Sequence, residues 1–227
     1  MSDGEARYVP AAGRTVFTRL YDPVIALTMR ERTFRGRLIE QVLDDLPAGA
    51  RVVDIGCGTG TFAIALADAV PRAEVIGIDG DPQILALAKR KPGAARVAWS
   101  EGLATSLQVA DESVDRVVMS LLLHHLAPAA KRQALLEALR VLRPGGRLHL
   151  ADWGRSQGPL MRVVFLLSVQ LVDGLEGTRD HAAGLVPRLV ADAGFEGVVR
   201  RDRLRTAWGT LELLAAAKPR PQSSAHA

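Results

Sequence analysis

A glycine-rich loop flanked by aspartates forms a pattern typical of nucleotide binding. Gly56, Gly58 and Gly60 follow a short β-branched run that ends at Asp54 and Ile55. Glycines let the backbone turn tightly and approach a ligand closely, and the helix that follows offers free N–H groups. Asp79 ends the next apolar run, where a carboxylate can accept hydrogen bonds from the hydroxyls of a ribose. The spacing therefore predicts a nucleotide site that uses this loop and Asp79 together.

Two adjacent histidines are the candidate bases. His124 and His125 follow a long apolar run over residues 114–122, so they lie just past the end of a predicted strand. Histidine titrates near neutral pH and can take a proton from a hydroxyl, an amine or an acidic carbon. A histidine that caps the strand or packs beneath the loop is the alternative interpretation. Asp152, after the next strand, is predicted either to bind a polar acceptor or to cap the following segment.

The elements that position these residues alternate between strands and helices. Strands are predicted over residues 51–55, 74–78, 96–99, 114–122 and 147–151. Helices are predicted over residues 30–46, 61–70 and 129–142, and from Asp81-Pro82 onward. Such alternation predicts a mainly parallel, doubly wound sheet with helices on both faces. Two further strands, over residues 197–204 and 209–217, are joined by a short link and are expected to be antiparallel. The expected fold is α/β, with seven strands and an antiparallel closing hairpin.

A single domain over residues 1–217 is predicted, with two helical regions outside the alternating pattern. Residues 1–46 precede the first strand and are expected to form a helical lid. Residues 155–185 are expected to form a helical insert near the substrate site. Within this insert, residues 160–175 are apolar nearly all round, which indicates burial or the lining of a pocket. Residues 218–227 are expected to form a disordered tail.

The composition excludes several classes of protein. The chain has 227 residues, of which 48% are hydrophobic and 24% charged, as in globular proteins. Cys57 is the single cysteine, so a four-cysteine metal site is excluded, and no metal is predicted. The net charge of +4 is spread evenly, so no nucleic-acid partner is expected. No signal peptide and no membrane-spanning tract is visible, so a cytoplasmic protein is expected, and a homodimer stays open.

The spacing of the glycine loop distinguishes between two nucleotide-binding families. A dinucleotide fingerprint needs its third small residue where this chain has Thr61. The motifs present are Val-Asp-Ile-Gly-Cys-Gly-Thr-Gly at 53–60, Gly-Ile-Asp at 77–79, Ser-Val-Asp-Arg-Val at 113–117, His-His-Leu at 124–126 and Val-Leu-Arg-Pro-Gly-Gly-Arg at 141–147. In these motifs and their order the chain resembles the class I S-adenosylmethionine-dependent methyltransferases. The opening Phe17…Tyr21-Asp22 and the helical insert are most similar to the ubiquinone/menaquinone C-methyltransferase-like branch.

The resemblance implies S-adenosylmethionine as the cofactor. It implies that the glycine loop receives the amino-acid end, that Asp79 binds the ribose and that Ile84 packs on the adenine. The contact positions implied are Asp54, Gly56, Gly58, Gly60, Asp79, Gly80, Ile84, Gly102, Leu103 and Ser120. Leu103 stands where many relatives have an acid that contacts the adenine amino group. Adenine recognition is therefore expected to depend on backbone groups and packing.

The same resemblance implies a reaction and a catalytic set. The expected reaction transfers a methyl group to a small apolar or aromatic acceptor, which is quinone-like, phenol-like or lipid-like. His125 is the first candidate catalytic residue, with His124 and Tyr21 as further candidates; a core anchor is the alternative role for Tyr21. The apolar insert would supply a wall for the acceptor, with a dimer interface or a membrane-surface contact as alternatives. The alternative functions are a nicotinamide-dependent oxidoreductase and a non-catalytic S-adenosylmethionine-binding module.

Overall fold

A seven-stranded sheet forms the centre of the computed structural model, which describes residues 29–171 and 174–221. The strands are β1 (Arg51–Ile55), β2 (Glu74–Asp79), β3 (Val97–Glu101), β4 (Val114–Ser120), β5 (Leu142–Trp153), β6 (Glu196–Arg205) and β7 (Thr210–Ala217). They are arranged in the order β3-β2-β1-β4-β5-β7-β6. The strands β1 to β5 are parallel, whereas β7 runs antiparallel to both β5 and β6. The predicted fold class is therefore confirmed.

Helices cover both faces of the sheet. They are α1 (Glu31–Leu43), α2 (Thr61–Ala69), α3 (Pro82–Ala88), α4 (Pro128–Val141), α5 (Pro159–Phe165), α6 (Leu175–Ala183) and α7 (Val186–Asp192). Helices α1 and α2 share one apolar core with Val52 of β1, and α4 and α7 share the other core with Val53. Neighbouring residues of a strand point to opposite faces, so a strand of consecutive apolar residues serves both cores.

Local sequence signals explain where several elements begin and end. The Asp81 carboxylate accepts hydrogen bonds from the backbone N–H groups of Gln83 and Ile84, so α3 begins at Pro82 as predicted. Helix α1 ends at Leu43 and not at residue 46, because Asp44 leaves the helical conformation and Asp45 has a left-handed φ of 54°. Strand β4 ends at Ser120, two residues before its predicted end.

The helical insert differs from its prediction in how much of it is buried. Helix α5 continues into a π-helical turn over Leu166–Gln170, and in this stretch Phe165 and Val169 are the buried residues. Phe165 packs edge-on against Trp153 of β5, with ring centroids 5.8 Å apart. Leu160 and Leu171 are instead 75% and 77% exposed. The helix contacts the sheet along one side, so burial, one of the two roles expected for residues 160–175, applies to that side alone.

The start of the tail also differs from its prediction. The backbone N–H of Lys218 donates to the carbonyl of Gly146 at 2.8 Å, and the N–H of Gly145 donates to the carbonyl of Lys218 at 3.0 Å. The Lys218 ammonium lies 3.0 Å from the Glu112 carboxylate. The ordered chain therefore extends past residue 217, because Lys218 continues the pairing of β7 with β5. Residues 222–227 lie outside the described residues, as do residues 1–28 of the predicted lid.

Candidate active site

A cavity of about 620 Å³ opens at the carboxyl ends of β1, β2 and β4. The order of the sheet reverses between β1 and β4, and ligands of doubly wound sheets bind at such a reversal. Its lining includes residues of loops, of helices and of the strand tips, among them Arg35, Asp54, Gly56, Cys57, Gly58, Asp79, Leu103, Thr105, Ser120, Leu122 and His125. The sequence motifs of the two candidate sites therefore meet in one cavity.

The three glycines of the loop serve different purposes. All have positive φ, at 71° for Gly56, 54° for Gly58 and 74° for Gly60, which side chains other than glycine rarely adopt. A Cβ on Gly58 would meet nothing within 4 Å, so this glycine leaves the loop open towards the cavity. A Cβ on Gly60 would lie 2.3 Å from the ring of Trp99. Gly60 is thus required by packing beneath the loop, and it does not line the cavity.

Asp79 holds the loop in shape. One carboxylate oxygen accepts a hydrogen bond from the Gly58 N–H at 2.8 Å, and the other accepts one from the Asp81 N–H at 3.0 Å. The N–H groups of Gly56 and Cys57 both donate to the carbonyl of Ile78, at 2.8 and 3.0 Å. A carboxylate has about four lone-pair sites, so Asp79 keeps acceptor capacity for the hydroxyls of a ribose.

Asp54 is a buried carboxylate without hydrogen bonds to the described part of the chain. It is 1% exposed, and neither oxygen has a hydrogen-bond partner there. Burial raises the pKa of Asp54 to about 7, and the Arg35 guanidinium acts against this increase. Such a group costs free energy unless a donor reaches it. Asp54 therefore suits a cationic donor in the cavity, and Arg35 on the same cavity suits an anion.

The two histidines have separate positions. His125 is half-buried and lines the cavity. Burial and the neighbouring His124 lower the pKa of His125 to about 3, so its ring is neutral at neutral pH. His124 is 4% exposed and points away, with Nδ1 2.7 Å from an Asp152 carboxylate oxygen. The ring centroids of the two histidines are 4.0 Å apart, so His124 packs against His125, which faces the cavity.

Asp152 anchors the turn that carries these histidines. It is 2% exposed and accepts hydrogen bonds from the N–H groups of Leu123 and Trp153, at 2.8 and 2.7 Å. Burial alone would raise the pKa of Asp152, but His124 and His181 hold it below its usual range. Asp152 does not line the cavity, so the hypothesis that it binds a polar acceptor there is wrong.

Helix α6 of the insert packs against the turn that carries the two histidines. Lys131 is fully buried, and its ammonium donates to the Gly177 carbonyl at 2.5 Å and lies 3.3 Å from Asp180. A Cβ on Gly177 would lie 2.3 Å from the His124 carbonyl oxygen. Helix α6 can therefore approach the histidine turn only because residue 177 is a glycine.

Several other predicted positions lie at the edge of this site or beyond it. Ser120 and Leu103 line the cavity, whereas Gly80, Ile84 and Gly102 do not. Tyr21 lies outside the described residues. Burial raises the pKa of the Cys57 thiol, so this thiol stays protonated at neutral pH. Sequence reasoning missed Arg35 and Thr105, since no motif marks either of them.

Comparisons with known proteins identify the class of this fold and site. Residues 52–146 match the methyltransferase domain family. A demethylmenaquinone methyltransferase from Deinococcus radiodurans is 40% identical over 124 residues, which are 54% of this chain and 51% of the relative. A malonyl-[acyl-carrier protein] O-methyltransferase from Methylococcus capsulatus is 33% identical over 155 residues, which are 68% of this chain and 53% of the relative. A solved SAM-dependent methyltransferase structure from Methanosarcina mazei superposes with a TM-score of 0.64 at 24% identity, covering 79% of this chain and 97% of the other.

The fold is that of solved SAM-dependent methyltransferases. The match over residues 52–146 and the relatives agree with the resemblance to the class I S-adenosylmethionine-dependent methyltransferases that the motifs indicate. It spans about half the length of the two curated relatives described above. No helix in the described ranges combines the length and apolar character that a membrane crossing requires.

Proposed function

We propose that the protein transfers a methyl group from S-adenosylmethionine to a small apolar or aromatic acceptor of the phenol or quinol kind. The observation that carries the proposal is the buried Asp54 carboxylate beside Arg35, in the same cavity as Asp79. S-adenosylmethionine has an amino-acid zwitterion on one side of its sulfonium and a ribose, which bears the adenine, on the other. The opposite charges of Asp54 and Arg35 match the zwitterion, and the spare acceptor capacity of Asp79 in the same cavity matches the ribose.

The chain's residues would hold the cofactor as follows. Asp54 accepts hydrogen bonds from the ammonium group, and Arg35 pairs with the carboxylate. Asp79 accepts the ribose hydroxyls while it keeps the Gly58 N–H in place. Leu103 is 38% exposed and lines the cavity, so it offers the adenine an apolar contact and no acceptor.

The reaction needs alignment and, for some acceptors, removal of a proton. When bound, the cofactor supplies a methyl group that its sulfonium already activates. The chain must hold the acceptor in line with that methyl group, and such orientation lowers a barrier by several kcal/mol. His125 takes the proton that a hydroxyl acceptor loses. That proton becomes strongly acidic as the new bond forms, so even an imidazole of low pKa can accept it.

The wall beside His125 favours an apolar acceptor. Leu121, Leu122 and Leu126 line the cavity there, together with Ala127 and Ala130. Apolar walls with few polar groups are the usual design of a small-molecule site. The relative from Deinococcus radiodurans is named for demethylmenaquinone, a quinone, which supports a quinol or phenol acceptor.

Calorimetry tests the cofactor, and mass spectrometry tests the reaction. We expect S-adenosylmethionine and S-adenosylhomocysteine to bind and NAD not to bind. Asp79→Ala should weaken binding by about tenfold or more, because it removes charge-assisted hydrogen bonds. Asp111→Asn, at an exposed carboxylate far from the cavity, is the matched control. Binding of NAD alone would favour the oxidoreductase, and binding without methylated product from phenols, quinols or amines would favour the non-catalytic module.

A further inference from the structure

An outward apolar stripe on the insert has no role in the proposed reaction. Leu160, Val163, Leu167 and Leu171 are 75%, 51%, 66% and 77% exposed. Their spacings of three, four and four residues place them along one side of the helix. Phe165 and Val169, which pack onto the sheet, lie on the other side. The helix is therefore apolar on the side that faces away from the protein's own core.

This stripe is unlike the rest of the described surface. Within the insert Leu166 and Leu175 are exposed as well, at 48% and 65%, whereas outside it the exposed large apolar side chains occur singly, such as Leu87 at 44% and Val199 at 43%. From Leu160 to Leu171 the stripe extends over about 17 Å, at 1.5 Å per residue. A contiguous exposed apolar surface of this kind marks a site of contact with a partner or a membrane.

Arginines from three segments border the start of the stripe. Arg155 and Arg162 are exposed, and Arg205 of β6 reaches the segment between them, because its guanidinium donates to the Gln157 carbonyl at 3.4 Å. None of the three has a carboxylate partner in the described ranges. Glu176 is an exposed acid in this region, and it lies beyond the far end of the stripe. The apolar stripe thus begins among positively charged side chains, and the fold brings one of them, Arg205, from a distant part of the chain.

We propose that this stripe and its three arginines dock the protein on the surface of an anionic lipid bilayer. Interfacial segments combine large apolar side chains, which enter the boundary of headgroups and acyl chains, with basic residues that stay among the headgroups. Each arginine near an anionic surface strengthens attachment, and salt weakens that contribution. Arginine stems can lie along the apolar layer while their guanidinium groups remain in water. The docking does not depend on the proposed methyl transfer.

Vesicle flotation of the full chain, without cofactor, tests the proposal. We expect partition onto vesicles that contain phosphatidylglycerol to exceed partition onto pure phosphatidylcholine by about tenfold or more. The double substitution Leu160→Ser with Leu167→Ser should reduce binding to the anionic vesicles by about tenfold or more. Leu87→Ser, a similar change at an exposed leucine of α3, should leave binding unchanged. Because all these side chains are exposed, circular dichroism and the thermal midpoint should not change.

A second pair of variants separates the charge from the apolar contact. Arg155→Gln with Arg205→Gln should remove the preference for anionic vesicles and most of the salt dependence. The proposal is overturned if the wild-type protein binds neither vesicle, or if the double leucine variant binds as well as the Leu87→Ser control. It is also overturned if light scattering finds a dimer in solution that the double leucine variant converts to a monomer, since the stripe is then a contact between two copies.

Discussion

The Asp54 carboxylate should make the free energy of unfolding depend on pH in an unusual direction. Its pKa is raised from 3.8 to about 7, mainly by burial. Between these two values the folded protein holds a proton that the unfolded chain has released. Stability from this group is therefore present at low pH, falls as pH rises towards 7, and stays low above it. Most carboxylates act in the opposite direction, because their pKa is lower in the folded state.

The size of the effect follows from the two pKa values. A single group with these values lowers the free energy of unfolding by about 3 kcal/mol between about pH 5 and about pH 8. Buried histidines oppose this trend. Burial lowers the pKa of His125 and of His149 to about 3, so each contributes stability that is lost as pH falls below 6.5. The histidines contribute equally to the wild-type protein and to Asp54→Asn. The difference between the two free energies of unfolding therefore reports the contribution of Asp54 alone.

Urea denaturation at the two pH values measures this difference. We expect the wild-type protein to lose about 3 kcal/mol more than Asp54→Asn as pH rises. Calorimetry should find the proposed pairing with the ammonium group as well, because only the ionised carboxylate attracts a cation. The wild-type protein should bind S-adenosylmethionine up to about a hundredfold more weakly near pH 5 than near pH 8. The affinity of Asp54→Asn should be weak and should change little with pH. Parallel stability curves for the two proteins, with the same pH dependence of affinity, would refute the role assigned to Asp54.

Four further variants test separate parts of the site. His125→Ala should lower turnover by about tenfold or more while calorimetry finds cofactor affinity unchanged; unchanged turnover contradicts a role for this residue in catalysis. Gly60→Ala should lower the free energy of unfolding by about 2 kcal/mol or more, because the new Cβ would overlap the ring of Trp99. Gly58→Ala should cost less stability and mainly weaken cofactor binding, so equal stability losses in these two variants would count against their separate roles. Asp152→Asn should lower both turnover and stability, the latter by about 2 kcal/mol, with cofactor affinity retained; turnover equal to that of the wild-type protein would contradict its anchoring role.

Much of the fold could be predicted from the sequence, because its signals are local. Consecutive apolar residues bounded by glycine, proline or aspartate mark the parallel strands. The prediction placed the end of β4 two residues too late. The short link before β7 leaves only an antiparallel arrangement, which the structure has. The glycine loop follows β1, and Asp79 ends the neighbouring strand β2. Because both lie at the carboxyl ends of adjacent parallel strands, their proximity also follows from the pattern.

The parts that were missed depend on contacts between distant segments. Arg35 reaches the cavity because α1 packs across the sheet, and nothing in its neighbours along the chain indicates this. Asp152 and His124 are 28 residues apart and come together only because β4 and β5 are adjacent. The exposure of Leu160 and Leu171 could not be predicted, since an apolar helix has the same composition whether it is covered or not. Lys218 is ordered by hydrogen bonds to Gly145 and Gly146 of β5, more than seventy residues earlier in the chain.

The close approach of Gly177 to the His124 carbonyl limits how this protein can be re-engineered. Exchange of the insert between homologous proteins is an attractive experiment, because the segment is contiguous in sequence. A donor segment with any larger residue at the junction would push on the main chain beneath the histidines and misalign them. A successful chimera must keep both that glycine and the lysine beneath it, so the smallest transferable unit includes Lys131 of α4 as well as the insert.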